Sequence, residues 1–310
     1  MADVTIIGSY IVALVIEADH LPVAGETVIG RNYRVTHGGK GSNMACCAAR
    51  LGARTRFIGK VGRDSFGEGF LDLLRREGVA TDGVLYAQDQ PTAVGFIVCG
   101  PGGSNLIVID TGANGEFSRA DLANGRIGGV VLSPLEIPLE TALAGARLAT
   151  HQGIPAILNP APAQDLRRHD LSSVFALTPN EGEARVCLGW EAADSRSPSE
   201  CARVLLDLGP RNVMVTTGAE GVVWASRDGL WHIPALEVEV VDTVGAGDAF
   251  NAGLAAGLAE GMPMERAIAI GVTAASLSTR RRDTIESYPR REEVDSRMDE
   301  VVTRIERWTE

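Results

Sequence analysis

Apolar positions along the chain repeat with a period of two in some stretches and in helical spacing in others, and the switches mark its elements. Residues 3–9, "DVTIIGS", form a short β-rich run ending on Gly8-Ser9, the pattern of a buried strand. A second β-rich zone covers 10–36 and is broken by the turn "PVAG" at 22–25. "GSNMACCAARLGA" (41–53) reads as a helix starting after Gly41 and stopped by Gly52. "RFIGKVG" (56–62) is a strand, and "SFGEGFLDLLRREG" (65–78) is a helix closed by Gly78. The β-rich runs "TAVGFIVC" (92–99) and "NLIVID" (105–110) flank the turn "GPGGS".

Further on, strands and helices alternate. "GVVLSP" (129–134), "PAILNP" (155–160), "VFALTPN" (174–180) and "NVMVTTG" (212–218) read as strands. Helices are expected from Pro138 to about Gln152, from Glu181, and from Ser197, where "SPSE" is a capping box with proline at the first helical position. "GVVWAS" and "LWHIP" (221–234) form a hairpin, and helices fill most of the remainder. Such alternation predicts a mainly parallel sheet covered on both faces. The early β-rich runs have no helices between them and are expected to form a small separate sheet.

Composition narrows the class. Glycine supplies 36 of 310 residues, an excess suited to tight turns and backbone amides that approach phosphate. A net charge of −11 and a pI near 5.0 argue against nucleic acid or an anionic membrane as partner. The basic triplet Arg280–Arg282 reads as a solvated loop. The five cysteines fit no disulfide framework and the five histidines no zinc spacing, as expected of core thiols in a reducing cytoplasm. The longest early apolar run, 10–16, is too short to span a bilayer, and no secretory signal precedes it. A cytoplasmic protein is expected.

The chemistry gathers at glycine turns. "DTVGAGDAF" (242–250) places Gly245, Ala246 and Gly247 at the start of an Ala-rich helix, where four backbone amides lack intrahelical partners and the helix dipole is positive. This makes a hole for an anion, with Asp248 beside it. A carboxylate there suits proton removal from a nucleophile while negative charge develops nearby, which is the requirement of phosphoryl transfer to an alcohol. Alone, the motif is a glycine turn with a helix-start acid. It is accompanied by "GGKGSN" (38–43) with Lys40 and Asn43, by "TPNEGE" (178–183) with Asn180 and Glu183, and by "TTGAEG" (216–221). Neither GxxxxGK[ST] nor GxGxxG occurs, which sets aside P-loop and dinucleotide-binding Rossmann sites.

Together these motifs resemble the ribokinase-like (PfkB) family of carbohydrate kinases, and most nearly its ribose-phosphorylating members. "PVAGETV" (22–28) and "LNPAPA" (158–163) extend the match in family order over nearly the whole chain. The resemblance implies one α/β domain over 1–310, a ribokinase-like three-layer sandwich with a mainly parallel sheet and a small β lid from about 10–36 and 90–112. It implies a kinase that uses ATP and Mg²⁺ on a small sugar or sugar-like alcohol, with Asp248 as base and Gly245, Ala246 and Gly247 as the anion hole. Lys40 is implied beside the transferring phosphate, Gly38 and Gly39 as the lid hinge, and Asn43 and Glu136 on sugar hydroxyls. Asn180 and Glu183 would organise Mg²⁺ through water, while Thr216, Gly218 and Gly221 would line the nucleotide. Asp242, the Val244 carbonyl and Ser287 match ligands of a monovalent cation such as K⁺ in the ribose-phosphorylating members, with Asp283 where those members have glycine. A homodimer through the lid is also implied.

One departure bears on the substrate. At the positions of Ile11 and Ala13 the ribose-phosphorylating members carry Asn and Asp, which hold sugar hydroxyls, so ribose itself is not the expected substrate. The alternatives are a nucleoside kinase, with the apolar pair facing a base, and a non-catalytic sugar- or nucleotide-binding regulator on the same scaffold.

Overall fold

The computed structural model describes residues 3–308; residues 1–2 and 309–310, the ends of the expected 1–310 domain, lie outside the described residues. The chain opens with β1 (Asp3–Ile7), β2 (Ile11–Glu17), β3 (Arg31–Gly38), α1 (Lys40–Arg50), β4 (Arg54–Val61), α2 (Ser65–Arg76), β5 (Ala80–Tyr86), β6 (Val94–Cys99), β7 (Asn105–Asp110) and the single turn α3 (Gly112–Gly115). It continues with β8 (Val130–Pro134), α4 (Leu139–His151), β9 (Ala156–Asn159), β10 (Ala176–Leu177), α5 (Glu181–Cys187), α6 (Pro198–Leu206), β11 (Asn212–Thr216), β12 (Val222–Ser226) and β13 (Gly229–Ile233). The long helices α7 (Ala246–Ala259) and α8 (Met264–Ser278) follow, then the short α9 (Arg291–Asp295), α10 (Met298–Val302) and β14 (Glu306–Trp308).

Two sheets result. The larger has the order β14-β13-β12-β11-β10-β9-β8-β1-β4-β5. From β5 to β11 every neighbouring pair is parallel, and β12, β13 and β14 add an antiparallel edge. Successive residues of its central strands point to opposite sides, so Ile6, Leu132 and Met214 pack in one core with α1, α7 and α8. Ile7, Val131 and Val213 pack in another with α4, α5 and α6. Strands buried on both faces read as continuous apolar runs, which is how "VTII" and "VVL" read.

The smaller sheet has the order β3-β2-β6-β7, with β2 and β6 parallel. Val12 lies in the main core, whereas β7 is exposed along its whole length. Where β2 leaves β1, the Asn114 side chain clamps Tyr10 on both sides, accepting from its amide at 3.3 Å and donating to its carbonyl at 2.9 Å.

Two expectations need correction, and one strand was not foreseen. The first helix begins at Lys40, inside the glycine turn and before Gly41, so the Lys40 amide is itself a helix-start donor. β5, interrupted in sequence by Asp82-Gly83, is not legible as a strand. Neither is β14, a three-residue edge strand in a stretch expected to be helical.

Candidate active site

The parallel strands end on one edge, and the polar turns gather there. β1 ends before Ser9, β8 before Glu136, β10 before Asn180, and β11 at Thr216. Carboxyl ends of strands in an open α/β sheet are where such folds bind ligands.

Gly245 caps α7 with φ 80°, in the left-handed region that favours glycine. A Cβ there would also meet the Tyr288 hydroxyl at 2.8 Å and the Thr284 methyl at 3.1 Å, so Gly245 is required twice over. Gly247 is different: a Cβ there meets nothing within 4 Å, and the space beside its backbone is open. An open cradle of helix-start amides is the geometry an anion needs. The Asn251 side chain, one turn on, donates to the Gly247 carbonyl at 2.9 Å and accepts from Thr178 at 2.6 Å, tying the turn to the end of β10.

Asp248 is buried beside this turn. Its Oδ2 accepts a 2.8 Å hydrogen bond from Asn43 Nδ2 of α1. Burial pushes its pKa above the ordinary carboxylate value, and the opposing pull of Lys40 and of the Asn43 hydrogen bond does not cancel that. The carboxylate can therefore accept a proton more readily than a surface aspartate. Asn43 Oδ1, buried too, has no hydrogen-bond partner among the described residues and is free to meet a donor from a ligand.

Lys40 sits among acids. Asp248 is the first cause of its raised pKa, with Glu136 and Glu183 adding to it and burial opposing. Glu136 is held by two donors on one oxygen, the Ser9 hydroxyl at 2.5 Å and the Lys40 amide at 2.7 Å. Its pKa is raised, chiefly by burial. Burial also raises the Glu183 pKa, so all three acids acting on Lys40 hold their protons more tightly than surface carboxyls. Among the described residues no three His, Cys, Asp or Glu side chains converge as a metal cage. Mg²⁺ commonly binds without one, through a carboxylate or two, water and phosphate.

Asn180 and Glu183 cap each other at the start of α5: the Glu183 amide donates to Asn180 Oδ1 and the Asn180 amide to Glu183 Oε2, each at 2.8 Å. A bridge pairs Asn180 with Thr216, which brings the turn carrying Gly218 and Gly221 alongside. Asp242 Oδ1 accepts from the Val244 amide at 3.1 Å, and the Thr279 carbonyl accepts from the amides of Val241 and Asp242. Ser287 is buried and donates to the Thr284 carbonyl at 2.7 Å, so no hydrogen bond draws it to Asp242 or Val244. Asp283 has φ 69°, holding the left-handed backbone that glycine would give at that position.

Ile11 pairs with Gly38 and Ala13 with Thr36, and Ala13 also lies beside Gly95, which pairs with Ile109. These side chains share one face of the smaller sheet, and its polar member next to Ala13 is the Thr36 hydroxyl. Gly39, with φ 91°, packs against the Ile11 amide, where a Cβ would approach to 2.7 Å. Sequence reasoning missed Ser9, Asn114, Thr178 and Asn251. Only Asn251 carried a signal, lying one helical turn after Gly247.

Residues 1–291 match the pfkB family carbohydrate kinases. A ribokinase of Haemophilus influenzae is 36% identical over 293 residues, spanning 93% of this chain and 96% of that protein. A deoxyribokinase of Salmonella typhi is 33% identical over 294 residues, spanning 93% and 95%. Among solved structures, ribokinase from Thermotoga maritima has a TM-score of 0.86 at 30% identity, covering 96% of this chain and all of that one. Arabidopsis thaliana ribokinase complexed with ribose and ATP has a TM-score of 0.85 at 29% identity, covering 96% and 98%. The chain belongs to the pfkB family of carbohydrate kinases. It is accordingly an ATP-dependent sugar kinase, a phosphotransferase with an alcohol group as acceptor.

Proposed function

We propose that this kinase phosphorylates a pentose-sized sugar that is less polar than ribose at the end facing the lid, a deoxy sugar being the leading candidate. In this reading Asp248 takes the proton from the acceptor hydroxyl while its oxygen attacks the γ-phosphorus of ATP and the bond to ADP breaks. The amides of Gly245, Ala246 and Gly247 meet the charge that develops on the phosphoryl oxygens, and Lys40 neutralises it from the other side. Asn43 and Glu136 hold sugar hydroxyls. Thr216, Gly218 and Gly221 line the nucleotide.

The observation that carries the assignment is the buried Asn43–Asp248 pair beside the open Gly247 cradle. Mg²⁺, held through water by Glu183 with Asn180, would neutralise phosphate charge. K⁺, held by Asp242, the Val244 carbonyl and Ser287, would add positive potential behind the anion turn. The left-handed backbone at Asp283 supports this cation loop. The apolar Ile11, Ala13, Gly95 and Ile109 support a substrate with hydrocarbon at that end, and the relative named deoxyribokinase supports the same reading. Gly38 and Gly39 would hinge the smaller sheet as a lid. The exposed Phe96, Val108 and Val35, on its face opposite Ile11, support a homodimer formed there.

The test is a phosphotransfer assay with 2-deoxyribose, ribose and a nucleoside panel, run in K⁺, Na⁺ and a bulky organic cation. The reading expects the highest kcat/KM on a deoxy sugar, and K⁺ ahead of Na⁺. A nucleoside as best acceptor would replace the sugar, equal rates in the three cations would remove the K⁺ site, and no turnover on any acceptor would favour a binding regulator.

A further inference from the structure

Tyr288 is fully buried in the core beside α1 and α7, and its hydroxyl has no hydrogen-bond partner among the described residues. Buried hydroxyls are almost always paired, so one left unpaired needs a reason. Its position supplies one. The oxygen lies 2.8 Å from where a Cβ of Gly245 would stand, against the back of the anion turn, with Thr284 filling the rest of that space. The same ring precedes Pro289 and follows Ser287, so it joins the loop after α8 to the residue that caps α7. A phenylalanine would fill the same volume without a buried polar atom. The oxygen is the group that requires explanation.

We propose that Tyr288 is a positioning residue for phosphoryl transfer, its hydroxyl supplying the hydrogen bond that fixes the Gly245 end of the turn when a phosphoryl group is seated on the amides. This rests on the reading that the turn from Gly245 to Gly247 holds the transferring phosphate. Binding there pulls the amides toward the anion and reorients the carbonyls behind them, and a hydroxyl against the back of Gly245 is placed to accept from an amide or donate to a carbonyl as they turn. A rigid cradle stabilises the transition state more than one that must still be ordered. In this role Tyr288 acts through Gly245, which its hydroxyl backs.

The experiment compares the parent, Tyr288→Phe and Gly247→Val for kcat, for KM of ATP and of the best sugar, and for thermal unfolding. Unfolding is followed in Mg·ADP with the sugar, with and without aluminium fluoride as a mimic of the transferring phosphoryl group. For Tyr288→Phe we expect kcat to fall about tenfold, less than the roughly 10²–10³-fold loss of a direct oxyanion donor. KM for ATP should stay within about twofold, since nucleotide contacts are uniform to ground and transition states. The additional melting-point rise given by aluminium fluoride should shrink in this variant, while the rise given by Mg·ADP alone is kept. An undiminished aluminium fluoride increment overturns the proposal whatever the variant's own melting point. So does failure of Tyr288→Phe to fold, which would make the hydroxyl a structural contact. If Gly247→Val also retains the increment, the fault lies with the anion-turn reading and not with Tyr288 alone.

Discussion

Asn43 and Asp248 stand 205 positions apart in the chain, yet Asn43 Nδ2 donates to Asp248 Oδ2 at 2.8 Å between two buried side chains. The contact joins the starts of α1 and α7, the two glycine-led helices of the site. It leaves the carboxylate buried with one neutral donor and one nearby ammonium, and the pKa stays raised. Asp248→Asn should lower kcat by at least the roughly 10²–10⁴-fold typical of a general base while nucleotide binding stays nearly intact. The linkage sign gives a second readout. A carboxyl whose folded pKa is raised contributes stability that is full below its unfolded value and lost as pH rises through the folded one. Asparagine has no such loss, so Asp248→Asn should melt at or above the parent near neutral pH. The difference should close as pH falls into the ordinary carboxylate range. Near-parental turnover in this variant would remove Asp248 from the mechanism.

The two glycines of the turn should behave differently. Gly247→Val faces open space, so the variant should fold with a melting point near the parent's and lose most of its turnover, because the branched side chain occupies the cradle. Gly245→Ala forces a Cβ into the left-handed region and against Tyr288 and Thr284. It should lose stability, by about 1–2 kcal/mol from the backbone alone. Denaturant unfolding beside steady-state kinetics separates the two. A folded Gly247→Val with parental kinetics would mean that the phosphate sits elsewhere.

Lys40→Met should move a pH profile as well as a rate. The Lys40 charge pulls the Asp248 pKa down against burial, and Glu136 and Glu183 lie within reach of the same ammonium. Without it, Asp248 should hold its proton to higher pH, so the acid limb of kcat should shift upward in pH as kcat falls about 10²–10³-fold. An unshifted acid limb would place Lys40 too far from Asp248 to matter.

Much of the fold was legible because its strands are buried on both faces and its turns carry glycine. "GGKGSN" and "GAGD" announce helix starts without bulk, a pattern visible in one dimension. What joins them was not legible. Ser9 reaches Glu136 across 127 positions, and Thr178 reaches Asn251 across 73, and neither residue type nor spacing signals such a pair. The left-handed backbone at Asp283 was not legible either, because aspartate seldom signals a positive φ. The start of α1 at Lys40 was missed because a glycine run reads as loop, whereas Gly39 with φ 91° serves as the N-cap there.

The substrate prediction turns on Ile11 and Ala13. β2 places both on one face, beside Gly38, Gly95 and Ile109, and leaves Thr36 as the neighbouring hydroxyl. A sugar hydroxyl set against that face would lose its water without a charged partner in return, an uncompensated desolvation. Poor kcat/KM is therefore expected for ribose relative to 2-deoxyribose. The double change Ile11→Asn, Ala13→Asp should narrow or invert that ratio. A hydrogen bond to a charged group contributes about 1.5–3 kcal/mol, so a gain of roughly ten- to a hundredfold for ribose is the scale to look for. Ile11 is only 7% exposed, and asparagine there will lower the melting point, so the ratio of the two sugars is the quantity to read and not either rate alone. Efficient parental turnover of ribose, with the ratio unmoved by the double change, would show that residues other than Ile11 and Ala13 read the sugar.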